Sequence, residues 1–288
     1  MNIVLGTAQF GLQYGVTNCH DIVSDDELAA ILDLAERSGI QGLDTAMGYG
    51  NAQARLAKFL PRHEFCVTSK IAVGDVTTGL VDNIYSQLDS ILSDLKTEKI
   101  DLVLIHDAEG MEPQKWRDVQ DVLTECVSQN KIGDYGLSLY TVNTSKQLIE
   151  KDPCVVQIPI SLFNDEFVRT QELHRLKTLG CRIQVRSVFH QGLALSEIWP
   201  DRFHQYEDLR ATYFSTLERL SATPLAACLG FIKSLNAVDD VVLGITSIDE
   251  LKDIVSAVND ERSMQLSPDL LRPYSDEFFR NPAMWSSL

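Results

Sequence analysis

The stretch Gly42-Leu-Asp-Thr-Ala-Met-Gly-Tyr-Gly50 reads as the end of an apolar strand opening into a small-residue loop. The strand ends at Leu43, which leaves Asp44 at its carboxyl end and Tyr49 in the loop beyond. Parallel α/β proteins hold their ligands at that end of their strands. A carboxylate and a phenol placed there need partners, and the next two apolar runs supply them. Phe65-Cys-Val-Thr-Ser-Lys70 closes on a lysine, and Asp101-Leu-Val-Leu-Ile-His106 closes on a histidine. Four polar side chains from three successive strand ends thus point to one mouth.

Upstream, Ile3-Val-Leu5 makes a first strand and runs into the loop Gly6-Thr-Ala-Gln-Phe-Gly11. Ser24-Asp-Asp-Glu27 has the form of a capping box, and Leu28, Ile31, Leu32 and Ala35 recur behind it at helical spacing until Gly39. Downstream, helices are expected from Ala52 to Phe59, from Leu80 to Leu95 and from Pro113 to Gln129. The second of these carries Ile84, Leu88, Ile91, Leu92 and Leu95 on one stripe. Strands five to eight are read at 132–137, 155–158, 181–185 and 241–243, and a further helix at 248–258. Between Leu193 and Thr223 lies an insertion with Trp199 and Pro200, longer than a barrel connection needs, and it is expected to cover the mouth as a lid. A tail carrying Pro268, Pro273 and Pro282 runs to Leu288. Eight short strands alternating with helices predict a single α/β domain over residues 1–288, a (β/α)8 barrel of the TIM type. No G-x-G-x-x-G follows any strand, which removes the usual mark of an open doubly wound dinucleotide fold.

Composition narrows the partners. The net charge of −16 opposes binding to phosphate backbones and anionic membranes, so nucleic acid and membrane are not expected. The six cysteines contain no C-x-x-C pair and read as buried thiols in a reducing compartment, which makes the cytoplasm the expected location. His20, His63, His174 and His204 have no companion at metal-ligand spacing, and no metal is expected. Oligomeric state is not legible.

Tyrosine is a feeble acid at neutrality, with a pKa near ~10. Donating its proton to a carbonyl oxygen requires a neighbour that stabilises the phenolate, and Lys70 is placed for this, with Asp44 keeping the lysine charged. A neutral His106 would fix the carbonyl oxygen by a hydrogen bond. The hydride must come from a cofactor, because no side chain donates one.

This set of residues in this order resembles the aldo-keto reductases, whose D-T-A-x-x-Y-G signature stands here as Asp44-Thr45-Ala46-Met47-Gly48-Tyr49-Gly50. Leu5-Gly6-Thr7-Ala8-Gln9-Phe10-Gly11 is similar to the family's first strand and loop, Gly136-Leu137-Ser138 to its fifth strand, and Gln157 to the glutamine that binds the nicotinamide amide. The resemblance implies an NAD(P)H cofactor lying across the mouth and a small carbonyl substrate, an aldehyde or ketone, with sugar derivatives among the candidates. It implies cofactor contacts from Gly6, Thr7, Ala8, Ser138, Gln157 and Arg186. Ser187, Gln191, Gly192 and Leu193 would hold the pyrophosphate, and Gly244, Thr246, Ser247 and Glu250 the adenosine. The helix beginning at Ile248 is expected to offer free backbone N–H groups there.

The chain departs from the family pattern at several positions. Leu139 and Ser161 stand where asparagines are common, Gln53 where an acid is common, and Ile254 where an adenine-binding asparagine is frequent. Arg186 replaces a tyrosine that stacks on the nicotinamide; its guanidinium face can also stack, and its charge can attract an acidic substrate. Glu250 stands where phosphorylated-coenzyme enzymes often carry arginine, so NADH is favoured over NADPH, although Ser247-Ile-Asp-Glu250 also reads as a plain capping box. Phe10, Tyr14, His190 and Trp199 are candidate substrate contacts, each with a packing role as the alternative. Two other functions stay open: a cofactor sensor without turnover on the same fold, and a Schiff-base aldolase with Lys70 as nucleophile.

Overall fold

In every strand the side chains alternate between two environments, and that alternation builds the molecule. The strands are β1 (Asn2–Gly6), β2 (Gly42–Asp44), β3 (Cys66–Ile71), β4 (Ile100–Ile105), β5 (Ile132–Ser138), β6 (Val155–Pro159), β7 (Arg182–Arg186) and β8 (Asp240–Gly244). They pair in parallel and in sequence order, and β1 closes on β8 with Leu5 opposite Leu43 on one side and Leu243 on the other. A computed structural model of the chain describes residues 1–152, 154–259, 266–272 and 276–287. Pro273 and Leu288 of the expected tail lie outside the described residues.

One parity of strand residues, including Leu5, Leu43, Val67, Val103, Leu137, Val156, Ile183 and Val241, is buried in the large apolar core shared with the surrounding helices. The other parity faces the barrel axis. There Leu102, Leu104 and Val155 form a small separate apolar cluster, while Asp44, Lys70, Gln157, Gln184 and Asp240 bring polar groups inward. Period-two alternation thus sends apolar side chains outward to the helices and functional ones inward.

The helices are α1 (Asp25–Arg37), α2 (Ala52–Leu56), α3 (Leu80–Leu95), α4 (Pro113–Ser128), α5 (Val142–Leu148), α6 (Glu166–Arg169), α7 (Glu172–Thr178), α8 (Glu207–Leu220), α9 (Pro224–Lys233), α10 (Ile248–Asn259) and α11 (Glu277–Arg280). α3 buries Ile84, Leu88, Ile91 and Leu95 as its spacing predicts, with Leu92 only half-buried at the stripe's edge. α2 stops at Leu56, three residues short of the expected Phe59, and the chain passes into a 3-10 turn at Leu60–Arg62. Proline at position 61 has no N–H with which to continue a helix.

The capping box at α1 is only half present. Ser24 Oγ accepts the Glu27 amide at 3.1 Å, but the Glu27 carboxylate reaches across to the amide of Ile248 at 2.6 Å.

The insertion between β7 and α9 is pinned rather than free. Trp199 Nε1 donates to the carbonyls of Leu193 and Ser196, both at 2.9 Å, and its ring stacks on Phe279 at 5.6 Å. Phe163, Phe203 and Trp285 complete this cluster, which fastens the C-terminal segment over the insertion. Both ends of the insertion reach the cavity, Leu195 and Ser196 at its start and Thr223 at its end, while Trp199 between them is anchored in the aromatic cluster.

The cysteines are mixed: Cys126, Cys181 and Cys228 are buried, Cys154 is intermediate, Cys19 and Cys66 are exposed, and all six are free thiols. Among the described residues no helix is long and apolar enough to cross a membrane.

Candidate active site

Asp44 is held through its backbone and both carboxylate oxygens. Its carbonyl accepts the Thr7 amide at 2.9 Å and the Thr7 hydroxyl at 3.0 Å, which ties β2 to the end of β1. Lys70 Nζ donates to Asp44 Oδ1 at 2.5 Å and to the Thr45 carbonyl at 3.0 Å. Gln157 Nε2 donates to Asp44 Oδ2 at 2.6 Å and to Gln184 Oε1 at 3.3 Å. Gln184 Nε2 donates in turn to Asp240 Oδ2 at 3.4 Å, where Arg182 also donates at 2.8 Å. A polar ladder thus runs down the barrel axis from the carboxylate at the mouth to Arg182 at the opposite opening.

Two glycines place Tyr49 beside this group. A Cβ on Gly11 would lie 2.0 Å from the Tyr49 carbonyl oxygen, and one on Gly50, whose φ is +58°, would lie 2.4 Å from the Gly11 carbonyl oxygen. The first loop and the Tyr49 loop touch backbone to backbone, and glycine is what permits it. Lys70 Nζ stands 5.1 Å from the centre of the Tyr49 ring, and the His106 ring meets that ring edge-on at 6.3 Å. His106 follows β4 directly, its amide bonded to the Ile71 carbonyl at 2.8 Å. Asp44, Tyr49, Lys70 and His106 are thus brought together at one mouth.

Their electrostatics differ in one respect from the sequence reading. Burial raises the Tyr49 phenol above the ordinary tyrosine range, and the Asp44 charge raises it further. Lys70, engaged with Asp44 and Thr45, does not reverse this. The phenol is therefore held neutral, with its proton in place. Burial pushes His106 down to about 4, helped by the charges of Lys70 and Arg186, so the imidazole is neutral at pH 7. Burial also draws the Lys70 ammonium below the ordinary lysine range, against the opposing pull of Asp44.

The mouth opens into a cavity of about 690 Å³ that runs from Tyr49 and His106 past the loop after β7 to the start of α10. Of the candidate contacts read from sequence, Gly6, Ala8, Gln157, Arg186, Ser187, Gln191, Gly192, Gly244, Thr246, Glu250 and Tyr14 line it. The remaining predicted contacts sit elsewhere. Thr7 is fully buried beneath Asp44. Ser138 is buried, its hydroxyl turned to Gln157 Oε1 at 3.4 Å. Leu193 and Phe10 are core residues, and Ser247 caps α10 by accepting the Glu250 amide at 3.2 Å.

His190 is not at the mouth: it is 1% exposed and donates from Nε2 to the Phe279 carbonyl at 2.9 Å. Trp199 belongs to the aromatic cluster described above.

Among the lining residues not singled out from sequence are Gln9, Tyr140, Asp253 and Cys19. Tyr140 continues the inward parity of β5 two residues past Ser138, a signal that period-two counting carries. The loop after β7 holds Ser187, His190 and Gln191 at positive φ, and the Gln191 carbonyl accepts the Val16 amide at 3.0 Å. Non-glycine residues in this conformation are costly and collect at functional loops.

The N-terminus of α10 does not offer the free donors that the sequence suggests. The Thr246 amide donates to Glu250 Oε2 at 2.6 Å and the Ile248 amide to Glu27 Oε1 at 2.6 Å. Two carboxylates already occupy the place where the helix dipole attracts anions. Among the described residues no cluster of three or more His, Cys, Asp or Glu side chains is placed to hold a metal ion.

A closed eight-stranded barrel with Asp44, Tyr49, Lys70 and His106 at one mouth defines a class, and sequence comparison agrees with it. The aldo/keto reductase family profile matches residues 2–266, and the chain belongs to this family of NAD(P)-dependent oxidoreductases. The methylglyoxal reductase DkgB of Salmonella typhi is 27% identical over 131 residues, which is 44% of this chain and 48% of that protein. The match thus spans about half the length of this curated relative. Among solved structures, an aldo-keto reductase of Bacillus halodurans in its holo form superposes with a TM-score of 0.70 at 18% identity, over 97% of this chain and 95% of that one. The glycerol dehydrogenase of Gluconobacter oxydans superposes with a TM-score of 0.67 at 19% identity, over 97% and 92%. At these identities the superpositions speak for the fold.

Proposed function

We propose that the chain interconverts a small carbonyl compound and its alcohol with a nicotinamide coenzyme, with Tyr49 as the proton donor in reduction. The observation that carries this reading is the protonation pattern at the mouth. A phenol raised by burial and an imidazole lowered to about 4 are both neutral hydrogen-bond donors at pH 7. Bound reduced nicotinamide would supply the hydride. His106 orients the carbonyl oxygen, and Tyr49 releases its proton to that oxygen as negative charge develops there. Lys70, held in place by Asp44, stands behind the phenol and supplies the positive charge that offsets the phenolate as it forms.

The residues present fit the coenzyme. Gln9 Oε1 is buried without a partner on the cavity wall, an acceptor left for a ligand. Gly244 lets the Gln9 amide lie flat against the end of β8, since a Cβ there would fall 2.6 Å from Gln9 Nε2. At the adenosine end Glu250 and Asp253 line the cavity, and among the described lining residues the one arginine or lysine is Arg186 at the end of β7. Glu250 and Glu27 also take backbone donors that a 2′-phosphate would use. This supports NADH as the preferred coenzyme. An aldehyde, ketone or sugar-derived carbonyl is the proposed substrate class, with Asp44, Tyr49, Lys70 and His106 as the reacting group.

The test is oxidation of NADH and NADPH by the purified protein with a panel of aldehydes and sugar carbonyls, beside Tyr49→Phe. The expected result is turnover with NADH that falls about 10²–10⁴-fold in the variant while coenzyme binding is retained. Turnover unchanged in Tyr49→Phe, or coenzyme binding without turnover on any carbonyl, would overturn the reading.

A further inference from the structure

Among the described residues, Arg186 is the only arginine or lysine lining the cavity. It closes β7 on the inward parity, half-buried, at the same rim as Tyr49 and His106. Its guanidinium lies 4.1 Å above the centre of the Tyr140 ring. Nη2 donates to the Leu139 carbonyl at 3.1 Å and Nη1 to Ser187 Oγ at 3.2 Å. Both acceptors are neutral. In a chain with 41 acidic residues against 25 basic ones, no carboxylate among the described residues pairs with it, whereas Lys70 below it is committed to Asp44.

A guanidinium carries five N–H donors in a rigid fork suited to a carboxylate. Two of the five are used here, and the Tyr140 face and the two neutral bonds fix the orientation of the rest. Holding a cation half out of water without an anion is unfavourable unless a ligand supplies one. Its charge also reaches the reacting groups, lowering both Tyr49 and His106.

We propose that Arg186, seated on Tyr140, is a specificity determinant that binds a carboxylate carried by the carbonyl substrate. This rests on the reading of the mouth as a carbonyl reductase site and deepens it: the preferred substrates are oxo acids and aldehyde acids rather than neutral aldehydes. The carboxylate forms a forked pair with the free edge of the guanidinium, and the carbonyl turns towards Tyr49 and His106. The pair offsets the repulsion that a chain of net charge −16 exerts on an anion.

Two measurements test this on the full chain, with wild type, Arg186→Gln and Arg186→Lys. The first titrates benzoate and benzamide into the NADH-saturated protein by calorimetry. Benzoate should bind the wild type and lose about tenfold or more in affinity in Arg186→Gln, with partial recovery in Arg186→Lys and no change for benzamide. This arm needs no turnover, so it stands apart from the carbonyl-reductase reading. The second compares kcat/KM for glyoxylate against glyoxylamide and for 4-carboxybenzaldehyde against 4-formylbenzamide. The acid should be preferred at one spacing at least, mainly through KM, and Arg186→Gln should erase that preference.

Equal benzoate affinity in wild type and Arg186→Gln, or no benzoate binding to the wild type, would overturn the proposal. So would an Arg186→Gln defect equal for acid and amide with weaker NADH binding, because the guanidinium would then serve the coenzyme's pyrophosphate.

Discussion

Replacing Lys70 with methionine isolates the Asp44 carboxylate inside the barrel. The two side chains are 1% and 3% exposed, with Nζ and Oδ1 2.5 Å apart. Methionine fills nearly the same volume but leaves the Asp44 carboxylate with Gln157 as its one remaining side-chain donor among the described residues. Breaking a buried pair by removing one partner costs about 3–5 kcal/mol, because the other charge is left uncompensated. Adding Asp44→Asn to that background removes the charge while keeping an acceptor for Gln157, so the double variant should regain about 2 kcal/mol or more. Asp44→Asn alone strands the lysine instead. Its amine then loses its proton in the folded state but keeps it in the unfolded chain, so the unfolded state binds more protons. Stability of that single variant should therefore rise with pH towards the ordinary lysine range, by about 1.4 kcal/mol per pH unit at most. Urea unfolding of the four proteins at pH 7 and pH 9, followed by circular dichroism, gives the coupling energy directly. A loss below about 1 kcal/mol in Lys70→Met, or additive losses in the double variant, would refute the buried-pair reasoning.

Three further outcomes are expected. Glu250→Gln should raise kcat/KM for NADPH relative to NADH by about tenfold, since a carboxylate some 4 Å from a phosphate opposes it by about 1 kcal/mol per charge even in water. Steady-state kinetics with both coenzymes will check this, and an unchanged ratio would count against Glu250 as the selector. Burial lowers His190 to about 4, so between that value and the unfolded-state pKa near ~6.5 the unfolded chain binds the extra proton. Stability should fall by up to about 3 kcal/mol on acidification through that window, and His190→Gln should flatten the dependence. Thermal unfolding at pH 4.5 and 7 measures it. Gly11→Ala puts a methyl 2.0 Å from the Tyr49 carbonyl oxygen, so the Tyr49 loop must shift. kcat should drop by about tenfold or more while NADH affinity changes little, because a displacement near 1 Å at the reacting group can be worth about a hundredfold.

What sequence reading captured here is governed by local periodicity. The eight strands and the ends that carry Asp44, Lys70 and His106 follow from runs of alternating or continuous apolar residues, and strand boundaries fall within one or two residues of those expected. The misplaced residues are those whose partners lie far along the chain. His190 finds the Phe279 carbonyl 89 residues away, and Glu27 finds the Ile248 amide 221 residues away. Nothing in Ser24-Asp-Asp-Glu27 distinguishes a carboxylate that caps its own helix from one that caps another. Trp199 and Phe10 illustrate a second limit: an aromatic in a loop can face the ligand or the core, and only the packing of Phe163, Phe203, Phe279 and Trp285 decides for Trp199. Tyr140 was legible in principle, one inward step beyond Ser138, but a strand end conceals whether alternation continues.

The axial ladder has a consequence for how such a site can diversify. Asp44 is fixed by Thr7 just past β1, by groups from β3 and β6 and, through Gln184 and Asp240, from β7 and β8. No loop residue beyond Thr7 and Thr45 takes part in those bonds. The Asp44–Lys70 pair is therefore registered to the staves of the barrel, while the loops after β7 and β8 shape the far part of the cavity. Insertions or substitutions in those two loops can reshape the cavity without moving that pair, so the buried polar group and the walls around it are free to change at different rates.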